Sequence, residues 1–141
     1  MDNRTTVFYV DDNPKSSQLL TSVLEECGFK VIAKNDPVEA LALCQRTCFD
    51  LALLDYEMPL MPGSQLARHI KFLMPHVPVV LISSGADLPS AELAFVDAHF
   101  GFGTSLDDLL WTMRILVRSK LMRLEDRRAG ERGMTQCADL T

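Results

Sequence analysis

The chain has 141 residues, 48% hydrophobic and 23% charged, with a net charge of −5. That length and balance suit one domain that buries its own core without a disulfide or structural metal. The longest apolar runs are far too short to span a bilayer. Met1-Asp2-Asn3-Arg4 also lacks a signal peptide's basic start, apolar stretch and cleavage site, so a cytoplasmic location is expected, with no membrane contact.

Charge is unevenly spread. Residues 1–111 carry 7 Lys/Arg against 15 Asp/Glu, and residues 112–133 carry 7 against 3. An acidic body argues against nucleic-acid binding there, and the basic stretch near the end reads as a solvated helix face. Cys27, Cys44, Cys48 and Cys137 form no C-x-x-C pair and read as free thiols in a reducing compartment.

In chain order, Thr6 to Val10 is an apolar, β-rich run ending in Asp11-Asp12-Asn13. Asn13 and Pro14 open a helix that closes at Cys27-Gly28. Phe29 to Ala33 is a second strand. Asp36 caps a second helix with Pro37 at its first position, and Val38, Leu41, Ala42 and Cys48 are expected on its inner face. Residues 50–54 are the central strand, whose unbroken apolar run Leu51-Ala52-Leu53-Leu54 delivers Asp55 at its carboxyl end, as expected of a strand buried on both faces. A loop over 56–62 leads into a helix over 63–73, with Leu66, Ile70 and Leu73 facing inward. Val77 to Ile82 is a further buried strand, ending at Ser83. Residues 89–97 read as helical, Ala98 to Phe102 as a fifth strand, and Ser105 as the cap of a long last helix with Asp107 and Asp108 in its first turn.

Strands alternating with helices predict an α/β fold: a doubly wound, five-stranded parallel sheet in the flavodoxin-like order 2-1-3-4-5, with an extended C-terminal helix. In that order the first and third strands are neighbours, so Asp11, Asp12 and Asp55 converge at one end of the sheet. Clustered carboxylates repel, and a divalent cation relieves the conflict. Hard oxygen ligands with room for water and phosphate suit Mg²⁺. Ser83 brings a hydroxyl to the same crevice.

These pieces, Val10-Asp11-Asp12-Asn13, Leu53-Leu54-Asp55-Tyr56-Glu57-Met58-Pro59 with Pro62-Gly63, and Pro78-Val79-Val80-Leu81-Ile82-Ser83, resemble the receiver domain of two-component response regulators. Leu106-Asp107-Asp108-Leu109-Leu110 is similar to the start of that family's last helix, and the resemblance spans about residues 5–118. It implies that Asp55 is the phosphoacceptor, taking a phosphoryl group from a histidine kinase or phosphotransfer protein. It implies that Asp11 and Asp12, with Asp55 and the Glu57 backbone carbonyl, hold Mg²⁺, and that Ser83 is the switch hydroxyl. The chain is then a receiver, residues 1–118, followed by a helix extension and disordered tail, residues 119–141, and is not itself an enzyme.

One part of the family pattern is missing. The lysine at the end of strand five aligns with Phe102, and no Lys or Arg lies between Lys71 and Arg114. The same alignment sets His99 at the aromatic switch position, where it is either a switch ring or an ordinary half-buried ring. The chain therefore reads as an atypical receiver, and the alternative is a phosphorylation-independent interaction module that keeps the fold. A small Mg²⁺-dependent phosphohydrolase fits less well, because Glu57 stands where such enzymes place a second Asp. In the last helix, Leu106, Leu110, Met113, Val117, Leu121 and Leu124 recur at steps of three and four. The outer half of this stripe can pair with a second copy as a homodimer or lead into an output domain. From Arg127 onward the segment is expected to fray.

Overall fold

The computed structural model describes residues 3–85, 87–101 and 103–138, and for 131–138 the backbone alone. Five strands, β1 (Thr6–Val10), β2 (Lys30–Lys34), β3 (Leu51–Asp55), β4 (Val79–Ile82) and β5 (Ala98–Phe100), form one parallel sheet in the order β2-β1-β3-β4-β5. Helices α1 (Pro14–Glu26), α2 (Pro37–Cys44), α3 (Gly63–Leu73) and α4 (Leu106–Ala138) cover it.

The period-two alternation of strand side chains divides the core into two layers. Phe8, Val10, Ala52, Leu54, Val79 and Leu81 face Ala40 and Cys44 of α2 and Leu66, Ala67 and Ile70 of α3. Val7, Tyr9, Leu51, Leu53 and Val80 face Leu24 of α1 and Leu109, Leu110, Met113 and Val117 of α4. β1 and β3 are buried on both faces, which is why each reads as an unbroken apolar run.

The helix starts follow their caps. Asn13 accepts from the amides of Lys15 and Ser16, Asp36 from that of Val38, and Ser105 from that of Asp108. α1 ends where Gly28 takes φ +97°, a left-handed conformation open to glycine. α3 begins at Gly63 for a different reason. A Cβ there would lie 2.3 Å from the Asp55 carbonyl oxygen and 2.8 Å from Leu81 Cδ1, so only glycine lets α3 start directly against the end of β3.

Several expectations need correction. Residues 89–97 do not form an α-helix: Ser90–Leu93 is a single 3-10 turn. The Asp97 amide already bonds the Val79 carbonyl, and Glu92 is held by the Ser64 hydroxyl, leaving too little chain between anchors for a longer helix. On α2 the buried residues are Pro37, Ala40 and Cys44, with Leu41 packed against the core as expected, whereas Val38 and Ala42, and Cys48 beyond the helix end, face solvent. The cap and start agree with the expectation, and the inner face is rotated by about a third of a turn. Leu73 on α3, and Leu106 and Leu121 on α4, are exposed, because the sheet lies beneath Ile70 and beneath Leu109, Met113 and Val117. α4 is helical through Ala138, and the end of the tail expected to be disordered lies outside the described residues. Its outer half lies against the opposite end of the sheet from Asp55, with Lys120 3.7 Å from Asp50 and Arg127 in contact with His76.

Candidate functional site

β1 and β3 run side by side with Tyr9 opposite Leu53 and Val10 opposite Leu54. Continuing that register sets Asp11 beside Asp55. Ligand oxygens of Asp11, Asp12 and Asp55 all lie within 4.8 Å of one another. Asp55 thus meets Asp11 and Asp12, more than forty residues earlier in the chain, at the carboxyl edge of the sheet. They open onto a cavity of about 630 Å³, which Asn13, Glu57, Ser83 and Ser84 also line and which α1 walls with Leu19, Leu20 and Val23.

Asp11 is the most constrained of the three. Its Oδ2 accepts from the Tyr9 hydroxyl at 2.7 Å, its Oδ1 from the Asn13 amide at 3.0 Å, and its carbonyl from Asn35 Nδ2 at 2.8 Å. Asp55 is half-buried, and its carboxyl is pushed up to about 8. Burial is the largest cause, followed by repulsion from Asp11. A hydrogen bond with Asp12 and the charge of Glu57 act the same way, opposed only by the Glu57 amide, which donates to Oδ1 at 3.1 Å. Among the described residues, every neighbouring charge that acts on Asp55 is negative, so burial and repulsion both favour its neutral form.

The donor set fits a hard divalent cation: three carboxylates within mutual reach, with Asp55 driven towards its protonated form by like charge. The Glu57 carboxylate is not part of this group. It reaches across to Ser84, accepting from the amide at 2.9 and 3.1 Å and from the hydroxyl at 2.8 Å. Partial burial acts to raise the Glu57 carboxyl, but these hydrogen bonds prevail and hold it below the usual range.

Ser83 is 1% exposed at the end of β4. Its hydroxyl donates to the Gly85 carbonyl at 2.9 Å and lies 2.7 Å from His99 Nε2 on β5. The structure thus links the two sequence-nominated switch positions directly. His99 itself does not line the acid cavity. Phe102, aligned with the missing lysine, lies outside the described residues. The sequence reading missed Tyr9 and the Glu57–Ser84 link. Tyr9 carried a usable signal: residues two apart on a strand share a face, and Tyr9 stands two before Asp11.

Comparison with known proteins agrees with this geometry. The family model described as response regulator receiver domain matches residues 7–102. The protein-glutamate methylesterase/protein-glutamine glutaminase 3 of Hahella chejuensis is 31% identical over 146 residues, covering 92% of this chain and 42% of that protein. The chain spans less than half the length of the curated relatives it matches. Among solved structures, a CheY-like response regulator receiver domain protein from Methanospirillum hungatei superposes with a TM-score of 0.79 at 23% identity, covering 86% of this chain and 99% of that one. The response regulator TrrA from Thermotoga maritima, in complex with Mg²⁺ and BeF, superposes with a TM-score of 0.75 at 25% identity, covering 79% and 98%. TrrA has also been solved in complex with the histidine kinase ThkA. The doubly wound sheet and the acids at its edge are thus those of a known lineage, and this chain belongs to the response regulator receiver domain family.

Proposed function

We propose that the chain accepts a phosphoryl group on Asp55 from the phosphohistidine of a sensor kinase or phosphotransfer protein. The observation that carries this reading is the meeting of Asp11, Asp12 and Asp55 at one edge of the sheet. An Asp55 carboxylate oxygen attacks phosphorus, the P–O bond forms as the P–N bond breaks, and the departing imidazole takes up a proton. Asp11, Asp12, Asp55 and the Glu57 backbone carbonyl would hold Mg²⁺. When bound, that ion neutralises the charge of the transferred group and orients its oxygens. The Glu57 amide stays on Asp55 Oδ1 and leaves Oδ2 to react. Ser83 is the switch hydroxyl: to meet a phosphoryl oxygen it must leave Gly85 or His99, which makes His99 the ring that reports the change to β5.

The receiver occupies residues 1–118, followed by a helix extension, described as far as Ala138, and a tail. On α4, Trp111, Ile115 and Met122 stand exposed, a surface suited to pairing with a second copy. No described helix is long and apolar enough to cross a membrane, and the proposed site of action is the cytoplasm. Any catalytic activity would belong to another domain, and the receiver signals through a partner or output domain.

One observation favours a second reading, a phosphorylation-independent interaction module. Among the described residues no cationic side chain acts on Asp55. The two readings separate on incubation with Mg²⁺ and acetyl phosphate. Acid-stable, base-labile phosphate that is lost in Asp55→Asn supports the receiver. No added mass with any phosphodonor would leave the interaction module.

A further inference from the structure

β1 carries a single polar group in its buried stretch, the Tyr9 hydroxyl. The ring is 2% exposed and packs in the layer formed with α1 and α4. Phenylalanine would fill the same apolar volume, and an unpartnered buried hydroxyl is destabilising, so the oxygen needs a role. Its partner is Asp11 Oδ2 at 2.7 Å, while the Asn13 amide takes Oδ1 at 3.0 Å. Both oxygens of one acid in the cluster are thus held from the protein side.

We propose that Tyr9 is a positioning residue for the cation site: its buried hydroxyl fixes the Asp11 carboxylate so that the three acids present their oxygens together. The inference rests on the Mg²⁺ reading above. A phenol suits the task in a cluster where, among the described residues, every charge acting on Asp55 is negative. It donates a hydrogen bond without adding a positive charge that would repel the incoming dication. Groups that orient a ligand from behind typically govern metal affinity by 10- to 100-fold.

The test compares wild type with Tyr9→Phe by calorimetric titration of Mg²⁺ alone, with the metal-free melting temperature as the folding control. Expected is binding about 10-fold weaker in Tyr9→Phe with a fold that still melts cooperatively. A second readout needs no variant. Mg²⁺ drawing on Asp11 weakens the phenol's hydrogen bond, so wild type should show a tyrosine ultraviolet difference band that saturates with the calorimetric curve, and Tyr9→Phe should lack it. No Mg²⁺ binding by wild type would sink the metal reading and this inference together. Wild-type binding matched within twofold by Tyr9→Phe, or a wild-type titration without the tyrosine band, would overturn this inference alone.

Discussion

Glu57 and Ser84 are tied together by three hydrogen bonds between 2.8 and 3.1 Å, joining the loop after β3 to the loop after β4. The link holds a carboxylate at the mouth of the Asp55 cavity, where it repels any anionic phosphodonor. Glu57→Ala should raise the initial rate of phosphorylation by acetyl phosphate a few-fold, and the gain should shrink in high salt. An unchanged rate at low salt would mean that this charge does not guard the site.

Burial, then repulsion from Asp11, pushes the Asp55 carboxyl of the folded protein up to about 8, against an ordinary value of 3.8. Between those limits the folded state holds a proton that the unfolded chain has released. The associated stability is complete below the lower value and is lost as pH rises through the upper one. The melting temperature of metal-free protein should therefore fall across pH about 4 to 8, and the slope should flatten in Asp55→Asn. Parallel curves for the two proteins would remove Asp55 as the source.

Gly63 sits where a Cβ would press on the Asp55 carbonyl oxygen and Leu81. Gly63→Ala should lower stability by about 3 kcal/mol in urea unfolding, at the upper end for overpacking, because backbone is the obstacle. Nearby, Leu60 holds φ at +71° while 88% exposed. Leu60→Gly should raise stability by about 1 kcal/mol by relieving the left-handed conformation.

The Ser83 hydroxyl has one hydrogen, and it goes to Gly85. His99 must then donate from Nε2 to Ser83. Nitrogen NMR of the imidazole should show Nε2 carrying the proton at neutral and mildly alkaline pH. His99→Phe should lower stability by about 1 kcal/mol. A ring protonated on Nδ1 alone would show that the pair is arranged differently.

The central strands β1, β3 and β4 were legible because strands buried on both faces must be almost wholly apolar, unlike the edge strands β2 and β5. Asp55 then stood out as the charge that ends such a run, and strand order did the rest for Asp11 and Asp12. Helix starts were equally legible, since Asn13, Asp36 and Ser105 cap through their own side chains. Helix faces were less so. Val38 and Leu121 are as apolar as Ala40 and Met113, and only the sheet's position decides which are covered. The segment at 90–97 misled because its local helix preference competes with anchors at Glu92 and Asp97 set by residues far away in sequence. The Glu57–Ser84 link was invisible for the same reason: no local pattern brings two loops together.

α4 runs unbroken for 33 residues, about 50 Å at 1.5 Å per residue, while its firmly packed contacts with the sheet end near Val117. Beyond that point the rod is tethered by the surface contacts of Lys120 with Asp50 and of Arg127 with His76, so it acts as a lever about Leu109 and Met113. A tilt of about 5° there would swing the far end by roughly 3 Å, so a small repacking beneath the first turns would arrive at the tip enlarged.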